Sequence, residues 1–483
     1  MLRSLKPVLL GFLLCAGTVS QPMWAVDLPD LGDPSGSTIS PEAERRLGEA
    51  FMRVLRQHVV IIDDPEVEAY IQSIGYRLVA QSDNNTQQFT FFIVDDSVIN
   101  AFAAPGGFIG INSGVILTSY NEGELAAVMA HEVSHVTQRH LARAFEQVNR
   151  LSLPVAASML GAILIGVLNP EAGQAAMTGI LAGQAQAQIN FTRANEEEAD
   201  RVGMGLLVRS GYDPQGMPGF FERLQQASRF YGGQPPEYLS THPVTVSRIA
   251  DSRNRAAQYP YRQYPDSVTY RLVKAKLRVI TADEPEQAAR YFEEQLRTGQ
   301  YNDENAVRYG YALALMANRK YGKARQQLKE LLRSDSERVA YMLAAARLET
   351  AEGRYESALT IYSESLKLYP NYRPLILGYA ETLLVAGEPT EARKILRDYA
   401  WNNELSPMYF KLLAQAEGQS GAEVDARMSM GEYYYLLGQT AFAIEQFKRA
   451  QSMLVVDDYQ KARISARLQQ LQEELELERK FKL

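Results

Sequence analysis

The chain has 483 residues, 50 of them basic and 57 acidic, with a net charge of −7 and a single cysteine. That length implies about two or three domains with sizeable cores, and the acidic balance argues against a nucleic-acid partner, since phosphate binding needs a basic face. One cysteine excludes a disulfide framework, so stability must come from packing.

The chain opens with Arg3, Lys6, an apolar run from Pro7 to Leu14, and small residues through Ala16, Gly17 and Ser20 to Ala25. The apolar run is too short to span a bilayer, and the pattern reads as a cleaved secretory signal over 1–25, with Ser20 as a second cleavage point. Leu14 stands where a lipoprotein signal needs a small residue before Cys15. Losing Arg3 and Lys6 takes the charge to about −9.

Residues Pro41 to Arg56 and Pro65 to Gln81 have helical spacing, the second with Val67, Tyr70, Ile71, Ile74 and Leu78 on one stripe. The pattern then turns to strands over Phe89 to Val94 and Gly106 to Ile111, the latter entered through Pro105. Asn121-Glu122-Gly123-Glu124 reads as a helix cap with an acid three residues on, opening the helix that carries His131-Glu132-Val133-Ser134-His135.

On that helix His131 and His135 share a face and can offer two imidazole nitrogens to one metal, with Glu132 beside them as base. A catalytic zinc takes three protein ligands and keeps one position for water. The third ligand is expected from the run Arg193 to Asp200. Glu197 and Glu198 compete with Glu196 there, but only Glu196 stands four residues before Asp200, which can then accept the ring N–H of His131 and fix its tautomer. A His, His, carboxylate set favours zinc. His140 falls one residue short of the position a metzincin would use for its third histidine, and reads instead as an orienting or capping residue on the same helix.

Between the two motifs, residues 151–170 and 172–192 carry no charge but are rich in Ala, Gly and Gln. A helical hairpin is expected over 151–192 rather than two membrane spans, serving as a lid over the metal or as a peripheral membrane contact. Thr241-His242-Pro243, with Arg248 six residues after the histidine, precedes another helix. His242 is a candidate fourth metal ligand in a resting state, or a stabiliser of the oxyanion during turnover. Peptide hydrolysis also needs an extended substrate, and Gly106, Gly107, Phe108 and Ile109 are the candidate sheet edge to which one adds as a strand.

Beyond residue 267 the chain repeats. Gly353-Arg354-Tyr355 with Ala358 and Tyr362 recurs 34 residues on at Gly387, Ala392 and Leu396, and one period earlier at Tyr321, Ala324 and Leu328. A unit at Gly431, Tyr434, Gly438, Ala443, Phe447 and Ala450 is displaced by 51, one and a half periods, which predicts an extra helix around Ser406 to Glu417 that breaks the register. Residues 285–297 form a weak first repeat, and Ile464, Leu468, Leu471 and Leu475 line one face of a capping terminal helix. The units fit the tetratricopeptide pattern, a stack of hairpins whose concave surface takes a peptide or protein.

The run Asn100 to Gly107, the motif His131 to His135, Arg193, Glu196, Ala199, Asp200 and the pair His242-Pro243 together resemble the M48 family of metallopeptidases. With the repeats, this resemblance implies an α+β zincin-like domain over 26–260, mostly helical with a small sheet, followed by an all-α tetratricopeptide solenoid over 267–483. It implies one Zn2+ per chain on His131, His135 and Glu196, with Glu132 and Asp200 in catalytic roles. It also implies a periplasmic zinc metalloendopeptidase with chaperone-like activity that degrades misfolded or stalled outer-membrane proteins, and whose repeats meet the β-barrel assembly machinery. A largely closed-site scaffold working through its repeats, and a membrane-embedded peptidase, are the alternatives.

Overall fold

The computed structural model describes residues 40–83, 87–147, 185–230, 242–401, 405–453 and 456–479, with single positions at 161, 238 and 403. The expected signal over 1–25 lies outside these residues, as does the hairpin expected over 151–192 apart from 161 and the helical stretch from 185. No helix among the described residues is long and apolar enough to cross a membrane.

Helices α1 (Pro41–Leu55) and α2 (Pro65–Val79) begin alike, with proline in the first turn and a side-chain cap. Ser40 accepts from the Ala43 amide, and Asp64 from those of Glu66 and Val67. The stripe Val67, Tyr70, Ile71, Ile74 and Leu78 is buried as its spacing predicts. Three strands follow, β1 (Thr90–Val94), β2 (Ala101–Ala104) and β3 (Phe108–Asn112), in the order β1-β3-β2. Alternation along them sends Phe91, Ile93, Ile109 and Ile111 toward α2, and Phe92, Phe102 and Phe108 toward α1.

That order corrects the expected substrate edge. Gly106 (φ 72) and Gly107 (φ 78) form the turn between β2 and β3. Phe108 and Ile109 lie in the central strand, paired in parallel with β1 and antiparallel with β2. The strand that displaces them to the middle, β2, is three alanines and a phenylalanine, a composition with little β preference, and so it left no pattern to read.

Among the described residues six helices complete this half: α3 (Ser113–Thr118), α4 (Glu122–Thr137), α5 (His140–Gln147), α6 (Ala185–Arg209), α7 (Gly216–Phe230) and α8 (Val246–Ala256). Twelve more follow among the described residues. They are α9 (Val268–Ile280), α10 (Pro285–Thr298), α11 (Glu304–Ala317), α12 (Tyr321–Ser334), α13 (Val339–Ala351) and α14 (Tyr355–Leu368). The rest are α15 (Arg373–Val385), α16 (Pro389–Ala400), α17 (Pro407–Gln419), α18 (Glu423–Leu436), α19 (Thr440–Gln451) and α20 (Asp458–Arg479).

The helix expected near 406–417 is present as α17, but it does not break the register. Left-handed turn residues recur at Arg319, Gly353, Gly387 and Gly421, each 34 after the last, so α17 and α18 form a regular hairpin. The slip comes one helix later. Gly438, with φ 75, repeats the turn after only 17 residues, so α18 closes one hairpin and opens the next. Tyr362 and Phe447 fill the space above Gly378 and Gly431 respectively, the small-residue contacts that pack neighbouring helices.

The repeats are fastened to the first half at both ends. Tyr270, Val273 and Leu277 of α9 belong to the core around the sheet, while Leu272 and Ala275 of the same helix belong to the first repeat core. Buried Lys276 binds Glu66 and lies 2.8 Å from Asp64, Arg347 lies 3.3 Å from Glu66, and Arg373 donates to Glu68 at 3.0 Å. At the other end Arg53 of α1 is buried against Glu478 at 2.6 Å, Glu474, and the Tyr435 hydroxyl at 2.8 Å. The terminal helix α20 buries Ile464, Leu468 and Leu471 as expected of a cap, yet its last turns also dock onto α1.

Gly438 lies at this second junction. A Cβ there would stand 1.9 Å from the Arg53 carbonyl oxygen, whereas nothing lies within 4 Å of one at Gly421. Gly421→Ala is expected to cost only the left-handed penalty of about 1 kcal/mol. Gly438→Ala should in addition lift α18 and α19 off α1, seen as faster limited proteolysis within the last repeats. Identical behaviour of the two variants would show that this junction contributes nothing.

Candidate metal centre

Asn121 caps α4 by accepting from the Glu124 amide at 2.9 Å, which fixes where the helix starts and therefore which way His131 and His135 face. Helix α6 packs directly against it. Gly203 makes this approach possible, since a Cβ there would stand 3.2 Å from the Ala130 backbone, and it brings Glu196 and Asp200 opposite the histidines. His242 arrives from the segment before α8. Its amide donates to the Tyr238 carbonyl at 2.7 Å, its ring stacks on Tyr238 at 4.7 Å, and the Tyr238 amide donates to Ile99 just before β2.

Ligand atoms of His131, His135, Glu196 and His242 all lie within 4.8 Å of one another. His131 Nε2 is 3.0 Å from His135 Nε2 and 3.4 Å from Glu196 Oε2, and His135 Nε2 is 3.4 Å from Glu196 Oε1. His242 Nδ1 is 3.3 Å from His131 Nε2 and 3.0 Å from Glu196 Oε1. Ligands about 2.0–2.1 Å from a tetrahedral ion stand about 3.3 Å apart, so the spacings among His131, His135 and Glu196 match one face of a zinc tetrahedron. His131, Glu132 and Glu196 are nearly sealed from solvent, at 1%, 0% and 4% exposure. Neither oxygen of Glu132 accepts a hydrogen bond among the described residues.

The charges are balanced by a pairing that spacing alone did not reveal. Arg248 of α8 donates to both Asp200 oxygens, at 2.7 and 2.8 Å, and to the Pro243 carbonyl at 2.8 Å, and it lies 2.9 Å from Glu196. Asp200 in turn stands 3.0 Å from His131 Nδ1, where the sequence placed it. Burial works against a charge on His131, but Asp200 and Glu196 outweigh it and raise its pKa to about 10. Burial takes His135 down to about 3 and pushes the Glu132 carboxyl up. Burial also opposes ionisation of Glu196, yet His242, His131 and His135 hold it well below the ordinary value.

His140 does not continue the metal helix. Arg139, with φ 53, turns the chain, and His140 opens α5 with Nδ1 2.9 Å from His135 Nδ1. Of the rival carboxylates, Glu197 points to solvent and Glu198 meets His140 and Arg143. The sequence assigned no role at the site to Arg248 or Tyr238, and read Glu198 only as a rival ligand. Tyr238 stands four residues before His242, a helical step that was the one available signal.

The Peptidase family M48 model matches residues 65–256, and a tetratricopeptide-repeat model matches 349–416. A protein of Escherichia coli K12 named beta-barrel assembly-enhancing protease is 38% identical over 488 residues, covering 100% of this chain and 99% of its own. The chain belongs to peptidase family M48. A putative beta-barrel assembly-enhancing protease of Vibrio cholerae is 36% identical over 92% of both chains, so the similarity to this M48 peptidase runs through both its halves. The mitochondrial metalloendopeptidase OMA1 of Arabidopsis thaliana is 27% identical over 39% of this chain and 36% of its own, a smaller overlap. This M48 peptidase is a metalloendopeptidase whose small three-stranded sheet and helices are followed by helical repeats.

Removing Arg248 leaves Asp200 and Glu196 buried without their cation. Arg248→Ala is expected to lower the stability of the metal-free protein by about 3 kcal/mol or more in denaturant unfolding. A loss below about 1 kcal/mol would show that the histidines alone balance the two carboxylates.

Proposed function

We propose that this M48 peptidase is a periplasmic zinc endopeptidase that degrades misfolded or stalled outer-membrane β-barrel proteins and assists others. The observation that carries the zinc site is the tetrahedral spacing of His131, His135 and Glu196, with the buried carboxylate of Glu132 beside them. The names of the full-length relatives and the secretory pattern over 1–25 support the location and the client class. The same relatives and the repeat array support contact with the β-barrel assembly machinery through the repeats.

His131, His135 and Glu196 hold the ion in this reading. When bound, zinc lowers the pKa of a water ligand toward about 7 and polarises the scissile carbonyl. Glu132 takes the proton of the attacking water and passes it to the leaving amine, a task suited to a carboxylate whose burial has raised its proton affinity. Asp200 keeps the Nδ1 proton of His131 in place, which leaves Nε2 free as the donor.

Strand β2 replaces the expected substrate edge. The Asn112 amide donates to the Asn100 carbonyl, so antiparallel alternation turns Asn100, Phe102 and Ala104 toward β3 and the peptide groups of Ala101 and Ala103 outward. In this reading a substrate strand adds beside the half-buried Ala103, on the side of the sheet that leads through Ile99 and Tyr238 to His242, and the fully buried Ala101 must be uncovered for it to extend further.

His242 supports a second reading. Its Nδ1 lies 3.3 Å from His131 Nε2 and 3.0 Å from Glu196 Oε1, close enough to take the position the hydrolytic water would need, in which case the resting site is closed and the chain acts mainly as a scaffold. The deciding experiment is a time course of degradation of a loosely folded protein by the zinc-loaded mature chain, Glu132→Gln and His242→Ala. Cleavage is expected to fall by roughly 10²- to 10⁴-fold in Glu132→Gln with zinc retained, and to rise in His242→Ala. Negligible and equal cleavage by all three chains would leave only the scaffold.

Metal binding should also be coupled to protons. A His131 pKa of about 10 means that the metal-free protein holds a proton there at pH 7.5, and an incoming ion must displace it. His135, near 3, has none to lose. Zinc binding is therefore expected to release about one proton and to tighten as pH rises toward 10, measured by calorimetry in buffers of different ionisation enthalpy. Zero release would mean that the carboxylates do not hold His131 protonated.

A further inference from the structure

We propose that His140 is a positioning residue for the metal site: its neutral ring accepts the Nδ1 proton of His135, in a tautomer set by Glu198. The inference rests on ligation by His135 through Nε2, the nitrogen that faces His131 and Glu196.

The proton assignment follows from the contacts. If His135 gives Nε2 to a metal, its Nδ1 must carry the ring proton. The atom 2.9 Å from that nitrogen is His140 Nδ1, which can accept only when unprotonated. His140 must then carry its own proton on Nε2, and that nitrogen lies 3.2 Å from Glu198 Oε2, a carboxylate that can only accept. Arg143 donates to the same oxygen at 2.6 Å and holds it there. The chain of donors runs one way, from His135 to His140 to Glu198, and reversing any link sets two protons or two lone pairs against each other.

The local fold exists to make this contact. A continued helix would carry position 140 past His135, but the left-handed turn at Arg139 starts α5 at His140 and folds its ring back, at 5% exposure, onto the imidazole. The two zinc histidines are thus supported differently. His131 leans on a carboxylate, and His135 on an uncharged ring whose acid stands one residue further out. A second carboxylate directly on His135 would add another negative charge to a buried site that already holds Glu132, Glu196 and Asp200.

The test measures zinc affinity of the mature protein by competition with a chromophoric chelator, and the visible absorption of the cobalt(II) form. His140→Ala is expected to weaken zinc about 10- to 100-fold and to shift the cobalt bands, because the ring of His135 is no longer held in one orientation. Glu198→Ala, at a half-buried position, should weaken zinc by a smaller factor. The double variant should match His140→Ala, because Glu198 acts through His140. Wild-type affinity and unchanged cobalt bands in His140→Ala would overturn the inference, as would additive losses in the double variant. If His140→Ala fails to fold, wild-type affinity and an unshifted spectrum in Glu198→Ala overturn it. His135→Ala separates the two levels. Zinc bound at wild-type affinity by that variant defeats the ligand assignment itself, whereas loss there with none in His140→Ala defeats only the role of His140.

Discussion

Two carboxylates one helical turn apart, Glu196 and Asp200, are buried together, and the arrangement of the catalytic half follows from having to keep them charged there. An uncompensated buried carboxylate costs several kcal/mol, more than a marginally stable domain can lose. Arg248 reaches both from α8, while His131 and His242 lie against them from two other directions. Three separate stretches of chain are thereby drawn to one point by charge before any ion is considered. The protein's own groups satisfy one another there, and α4 and α6 present their side chains at metal-binding spacing.

Much of this was legible because helical periodicity is strict. A step of four residues puts side chains on one face whatever the tertiary context, so His131 with His135 and Glu196 with Asp200 could be paired from spacing alone. Periodicity says nothing about which distant element supplies the counter-charge, and in the sequence Arg248 is only a basic residue six positions after His242. Nor does it foresee a break such as the one at Arg139, where a residue with an ordinary side chain adopts φ 53 and sends His140 back toward the helix it has just left. The sheet was the least legible part. Strand order depends on long-range pairing, and a strand as short and as alanine-rich as β2 carries almost no signal of its own.

The repeats show the same division between local and global information. Glycines at 353 and 387 mark turns that their own backbone geometry requires, and their period could be read directly, whereas Gly421, one period further on, was passed over. What the half-period slip accomplishes is visible only in three dimensions. By reusing α18 in two hairpins, the array brings Gly438 and Tyr435 against α1, and α20 behind them can close on Arg53. A regular continuation would have no reason to present those groups to the catalytic half.

Helix α9 carries a further consequence. One of its faces completes the core around the sheet through Tyr270, Val273 and Leu277, and another begins the repeat stack through Leu272 and Ala275. The composition suggests two parts joined near residue 260, yet a cut at that point would strip three large side chains from the first part and leave the second with an exposed apolar flank. Shuffling either half into an unrelated protein therefore requires carrying this helix along, and whichever half keeps it leaves the other unfinished. A join placed at the visible seam would therefore expose apolar surface on both sides of it.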